Sequence, residues 1–329
     1  MRNLTFLGIV ALSLLSLTIT SRISASPALV SIRPIRINEF VDHPTAAVDL
    51  GKYPQLSVVG ELQRDETLAD GRTKHYWGSA VIVSPCYILT AHHVAFGDDV
   101  TPVLGTDYTA VFRAGRGEDA GAFAGHTDAI PVIWGNYDDQ GHNDWAIMKL
   151  KSCVGARSDF GWAEESALDV SRLEFLRPRV LAVGYSFGSP RGTQSCSVGQ
   201  IEGRDHLSGL MVSASLGPKQ SGGAVFVLEN GRLKLAGVIQ RGFTTIEDED
   251  KTRFSHWDAA HTNVAFPARW VFDDENVRSI IDADRARMKA GNPASKFQFG
   301  RPENGVLPCG TLEDESSPGP TVKSGKPKA

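Results

Sequence analysis

The chain has 329 residues, 41% of them hydrophobic, enough to bury a sizeable core and to form one or two domains. Its formal charge of −4, from 34 basic and 38 acidic side chains, argues against nucleic acid as the natural partner. The four cysteines, Cys86, Cys153, Cys196 and Cys309, have no CxxC spacing, which argues against a zinc ribbon and suits an exported protein with two disulfides; three pairings are open.

Residues 1–25 read as a secretory signal: Arg2 precedes an apolar run, and Ile23-Ser24-Ala25 ends on a small residue suited to cleavage. No other stretch is long enough to span a bilayer, so no stable membrane anchor is expected after cleavage, and the expected location is secreted or periplasmic. Residues 26–52 lack a sustained period and read as an N-terminal extension, either a propeptide or a strap lying on the domain. The domain itself is expected over residues 53–290. There the pattern turns to short strands at 56–62, 76–83, 87–90, 110–113, 130–134, 146–150, 180–183, 196–202 and 210–214. A hairpin follows, with strands at 224–228 and 233–239 joined through Asn230-Gly231, the strongest short hairpin signal. Many short strands with turn signals between them predict an all-β barrel or sandwich. One helix is expected at 273–288, with Asp273, Asp274 and Glu275 at its start and Arg285 and Arg287 near its end. The tail, 291–329, is Pro-, Gly- and Ser-rich and is expected to be disordered from Glu313.

Three stretches carry candidate chemistry. In Gly217-Pro218-Lys219-Gln220-Ser221-Gly222-Gly223-Ala224 a hydroxyl flanked by glycines feeds an apolar strand, as a nucleophile on a tight turn would, although Ser-Gly-Gly is also ordinary loop composition. In Leu89-Thr90-Ala91-His92-His93-Val94 a strand ends in two histidines, and in Asp144-Trp145-Ala146-Ile147-Met148-Lys149-Leu150 an acid opens a strand. A serine hydroxyl is a weak nucleophile: it needs an imidazole to take its proton and a carboxylate to fix the imidazole.

In their order and spacing these stretches resemble the trypsin/chymotrypsin superfamily of serine endopeptidases. Leu-Thr-Ala-His-His-Val is similar to its Leu-Thr-Ala-x-His motif, Asp-Trp-Ala-Ile-Met-Lys-Leu to its Asp-Ile-Ala-Leu-x-x-Leu, and Gln-Ser-Gly-Gly-Ala to its Asp-Ser-Gly-Gly-Pro. Asp274-Glu275-Asn276-Val277-Arg278-Ser279-Ile280 resembles the ending of the bacterial glutamyl endopeptidase branch. The resemblance implies two packed six-stranded antiparallel β-barrels with a C-terminal helix, the site lying between the barrels. It implies His93 as general base and then acid, Asp144 as its orienting partner and Ser221 as nucleophile. The backbone N–H groups of Lys219 and Ser221 would form the oxyanion hole, while His92 takes a packing or rim position. Ser215 falls at the base of the substrate pocket, and Gln240, Arg241 and Gly242 on the substrate-binding strand. Arg241 would be a rim charge or a contact to acidic substrate.

Three positions depart from the family pattern: Lys219 stands where glycine is usual, Gln220 where trypsin-type enzymes have an acid, and Gln240 where the glutamyl branch has histidine. Expected partners are a protein or peptide substrate, with a monomeric chain and no metal or organic cofactor. An inactive relative of the same fold, kept as a binding module, is the non-enzyme alternative. With the triad implied, the strands of Cys86 and Cys153 must converge, so a Cys86–Cys153 bridge is expected, leaving Cys196–Cys309.

Two further motifs point elsewhere. Gly184-Tyr185-Ser186-Phe187-Gly188 matches the G-x-S-x-G elbow of α/β-hydrolase esterases, but Ser189-Pro190-Arg191-Gly192 breaks the helix such an elbow must open. His256 and His261 have H-x4-H spacing, which does not put both rings on one helical face, and read as surface or pocket-wall histidines.

Overall fold

The computed structural model describes residues 46–48, 50, 53–67, 70–97, 108–115, 126–138, 142–156, 161–186, 193–205, 209–217, 219–241, 263–288, 306–307 and 309–311. The signal, most of the 26–52 extension, Gly242, His256, His261 and the tail from 313 lie outside these residues.

In chain order the strands are β1 (Ala46–Ala47), β2 (Val59–Thr67), β3 (Thr73–Ser84), β4 (Tyr87–Thr90), β5 (Thr109–Ala114), β6 (His126–Trp134) and β7 (Ala146–Leu150). They continue as β8 (Arg179–Tyr185), β9 (Gln194–Arg204), β10 (Leu210–Val212), β11 (Ala224–Glu229), β12 (Arg232–Arg241), β13 (Asn263–Pro267), β14 (Val306–Leu307) and β15 (Gly310–Thr311). The helices are α1 (His92–Phe96), α2 (Val170–Leu176), α3 (Ala268–Asp273) and α4 (Glu275–Ala286).

Strands β2, β3, β4, β7, β6 and β5 close one antiparallel barrel in that order. A second closes through β8, β9, β10, β13, β12 and β11, because long β9 pairs with β8 along its first half and with β10 along its second. These are the two six-stranded barrels the sequence resemblance implies. Strand β1 adds to the free edge of β9, with Ala46 opposite Cys196 and Ala47 opposite Ser195.

Period-two patterning explains how the barrels fill and how they meet. In β8, Val180 and Ala182 join the core inside the second barrel, while Leu181 and Val183 join a larger core continuous with the first. In β11, Val225 and Val227 point inward, and Ala224, Phe226 and Leu228 face that shared core. Both faces are therefore dry, which is why these strands read as unbroken apolar runs rather than alternating ones. In the first barrel, β6 faces solvent on one side and alternates buried with exposed along its first half.

The hairpin turn is as expected: Asn230 (φ 52°) and Gly231 (φ 71°) join β11 to β12 with Glu229 opposite Arg232. One expected strand is corrected. Residues 54–58 form a 3-10 turn opened by Pro54, and the strand begins only at Val59. Both expected disulfides are present: Cys86–Cys153 ties the β3–β4 turn to the segment after β7, and Cys196–Cys309 ties β9 to the β14–β15 hairpin.

The expected C-terminal helix is α4, which starts at Glu275, and α3 is a further short helix directly ahead of it. At the junction, Asp274 is extended (φ −65°, ψ 124°) and its side chain caps α4 by accepting from the N–H groups of Asn276 and Val277. Near the end of α4, buried Asp284 accepts from Ser84 Oγ and Cys86 N, both at 2.7 Å. Its neighbour Arg285 donates to the Val83 carbonyl at 2.8 Å and to Glu165 at 3.0 Å. The helix is thus fastened to the end of β3.

Candidate active site

His93 is placed by the abrupt change from β4 to the single-turn helix α1. Extended Ala91 opens α1, and Gly97, at φ 72°, ends it with its N–H on the His93 carbonyl at 2.8 Å. Asp144 sits in the turn just ahead of β7, beside left-handed Asn143. Its side chain is 3% exposed against 30% for His93. One carboxylate oxygen lies 2.8 Å from His93 Nδ1, and the other accepts the His93 backbone N–H at 3.0 Å. An ionised carboxylate only accepts, so this seat puts the proton of the neutral imidazole on Nδ1 and leaves Nε2 as a base.

Ser221 stands on the turn that leads into β11, where the barrels meet. The Gly222 N–H donates to Ile239 O at 2.7 Å, Ile239 N to Gly223 O at 2.8 Å, and Ser79 N to Ser221 O at 2.8 Å, so β12 grips the turn from one side and β3 from the other. Gly222 has φ 82°, and a Cβ there would collide with the Ser79 carbonyl and the Thr90 hydroxyl. Glycine is required on both counts. A Cβ on Gly78 would meet Val94 and lie 3.0 Å from Ser221 O, so α1 and the serine turn both close on β3 at that glycine. The Ser221 hydroxyl itself donates to the Gln240 carbonyl at 3.2 Å.

The two unusual neighbours of Ser221 are held differently. Gln220 is buried, and its side-chain amide accepts from Gly217 N at 2.7 Å and donates to Ser195 Oγ at 2.8 Å. Lys219 is left-handed (φ 74°), with its ammonium 4.0 Å from the centre of the Trp77 ring. Its carbonyl accepts from Ser79 Oγ at 3.3 Å.

The remaining sequence candidates lie along the second barrel. Ser215 is buried, its carbonyl accepting from Ser197 Oγ at 2.6 Å. Gln240 is buried near the end of β12. Arg241 ends that strand, and its guanidinium pairs with Asp205 at 2.6 Å; the acid's side chain is 7% exposed. Arg241 thus has an internal partner, while its side chain remains 29% exposed. His92 is fully buried, stacked on Tyr137 at 4.6 Å and against Phe96 at 4.7 Å, the packing role expected of it. Ser186 follows β8, whose neighbours β9 and β11 both run antiparallel to it. A parallel α/β sheet is what a nucleophile elbow requires, so the α/β-hydrolase reading is overturned.

Sequence reasoning did not find Trp77, Ser79, Ser195 or Asp205. Each touches a candidate residue only through strand register, and no local motif marks them.

The family model for the trypsin-like peptidase domain matches residues 78–236. No curated protein matches the chain in sequence. Among solved structures, it is similar to the HtrA-type protease AlgW bound to a decapeptide, at 18% identity and a TM-score of 0.43, covering 70% of this chain and 66% of that one. It is also similar to a serine endoprotease from Yersinia pestis, at 20% identity and a TM-score of 0.43, covering 71% and 66%. The chain thus spans about two thirds of the length of the solved proteins it resembles.

Proposed function

We propose, from the match of residues 78–236 to the trypsin-like peptidase domain, that the chain is a serine endopeptidase acting through Ser221, His93 and Asp144. The observation that carries the proposal is the two-point seat of His93 on buried Asp144, which leaves Nε2 as the basic nitrogen, on a helix that closes on Gly78 together with the Ser221 turn.

Attack begins when Ser221 Oγ leaves the Gln240 carbonyl and gives its proton to His93 Nε2 while bonding to the scissile carbonyl carbon. The negative charge that develops on the carbonyl oxygen is met by the backbone N–H groups of Lys219 and Ser221; one such donor is typically worth about 10²–10³ in rate. His93 then protonates the leaving amine, the C–N bond breaks and an acyl-Ser221 ester remains. Water, deprotonated by the same imidazole, hydrolyses that ester and returns the proton to Ser221. The resemblance assigns substrate binding to Ser215 and to the end of β12 at Gln240 and Arg241, and the substrate is a protein or peptide. Two disulfides support an oxidising compartment, secreted or periplasmic, for the mature chain.

The second reading, a binding module of the same fold, is favoured by one observation: the Ser221 hydroxyl rests on Gln240. Hydrolysis of a casein-type substrate by the wild type, Ser221→Ala and Ser186→Ala separates the two. The peptidase reading requires a loss of several orders of magnitude in the first variant and near-normal rates in the second. A folded wild type that binds peptide and cleaves none supports the binding module.

A further inference from the structure

We infer that Lys219 is a positioning residue, its ammonium seated on Trp77 so as to latch the turn carrying Ser221 onto the first barrel. The inference rests on the reading of Ser221 as nucleophile and says how that residue's turn is held.

A residue with a Cβ is disfavoured at φ 74°, where glycine is at ease, so the backbone gains nothing from lysine at this position. An outlier of this kind beside a reactive group points to a task for the side chain. Here the side chain crosses from the second barrel to β3 of the first. The 4.0 Å from its nitrogen to the Trp77 ring centre is well inside the range of about 6 Å over which a cation is drawn to an aromatic face. Trp77 is itself seated: it stacks on His75 at 5.8 Å with an interplanar angle of 21°, and His75 Nδ1 lies 2.8 Å from Asp65.

The backbone of the turn is held to the same strand. Ser79 N reaches the Ser221 carbonyl, and Ser79 Oγ reaches the Lys219 carbonyl while accepting from Tyr185 N at 2.9 Å. Between those two points, the Gln220 amide fastens the turn to the second barrel through Ser195. The turn is therefore clamped between barrels, and the Lys219–Trp77 contact is a side-chain fastening on the β3 side. The Lys219 peptide carries one of the two N–H groups proposed to meet the oxyanion, so a turn that swings off Trp77 would misdirect that donor. Oxyanion contacts strengthen only in the transition state, so the loss should appear in kcat rather than KM.

The test uses Lys219→Met, which keeps the length and the left-handed backbone demand but removes the charge, and Trp77→Leu, which removes the ring. Each should lower kcat on a peptide ester about tenfold with KM within about twofold, while thermal unfolding stays at the wild-type temperature. The double variant should fall no further than the worse single one, because both remove the same contact. Lys219→Arg and Trp77→Phe should restore most of the loss. A second readout does not depend on activity. Mass-spectrometric mapping after acetic anhydride treatment should show Lys219 acetylated more slowly than Lys151, which is 77% exposed, and the difference should vanish in Trp77→Leu. Unchanged kcat in either single variant, a loss confined to KM, losses that multiply in the double variant, or fast acetylation of Lys219 in the wild type would each overturn the inference. A wild type that protects Lys219 yet forms no covalent adduct at Ser221 would instead count against the nucleophile, and the latch would stand.

Discussion

Replacing Asp144 with asparagine probes the site at its most constrained point. The carboxylate has two acceptor tasks, His93 Nδ1 at 2.8 Å and the His93 backbone N–H at 3.0 Å, and at 3% exposure water cannot stand in for either. Asparagine keeps the shape but has one oxygen and one NH₂. If the oxygen stays on the backbone N–H, the NH₂ faces the ring and donates to Nδ1, which moves the ring proton to Nε2. That nitrogen can then no longer take a proton from Ser221. If the amide flips, two N–H donors oppose each other in a buried place. A wrong tautomer in a Ser-His-Asp arrangement costs about 10⁴ in kcat, or about 5 kcal/mol of barrier. The assay is kcat/KM on a peptide ester at pH 8, with near-UV circular dichroism to show that the variant is folded. A folded Asp144→Asn enzyme within tenfold of wild type would refute the orienting role of Asp144.

Gln220→Leu leaves the Gly217 N–H and the Ser195 hydroxyl without the amide they share, each worth about 1–3 kcal/mol when buried and unsatisfied. Both Tm and kcat should fall, and an unchanged pair would mean the amide does not order the turn. Because Gln220 carries no charge, a new N-terminal ammonium would have no counter-ion there. Versions of the chain starting at several positions from Ser26 up to β1 should have comparable activity, whereas activity in one start alone, lost when its amine is acetylated, would contradict this. Glu202 has its carboxyl pushed up by burial, against smaller opposing effects of Ser213 and Arg177. A raised folded-state pKa means that folding loses stability as pH rises through that value. Glu202→Gln should therefore raise Tm at pH 8 and leave it unchanged at pH 3, and an equal gain at both would refute the burial argument.

What could be read from the sequence was whatever is local. Strands β4 and β7 fall on the expected residues 87–90 and 146–150, each a short apolar run with polar residues or a turn at its ends, and Asn230-Gly231 marks its hairpin alone. Strand β13 escaped: Asn-Val-Ala-Phe-Pro is five residues, buried throughout, and so has no alternation to detect. Helices α1 and α2, of 5 and 7 residues, are too short to show a 3.6-residue period. The 3-10 turn at Pro54 reads as strand in the sequence because Leu56, Val58 and Val59 are apolar in either geometry. In the candidate site, His93, Asp144 and Ser221 each stand in a local motif, which is why the sequence singles them out. The hold of Ser195 on Gln220, of Trp77 on Lys219 and of Asp205 on Arg241 exists only once strands distant in sequence are in register. Arg241 shows the consequence, since its neighbours in sequence leave its charge unanswered and the fold answers it.

The central claim is that Ser221 is a nucleophile activated by His93. A fluorophosphonate phosphonylates only an activated hydroxyl, so labelling the purified protein and mapping the adduct by peptide mass spectrometry tests that claim directly. The account predicts a single adduct on Ser221, formed in wild type and lost in His93→Ala. No adduct in a folded wild type, or one on Ser186, would contradict it.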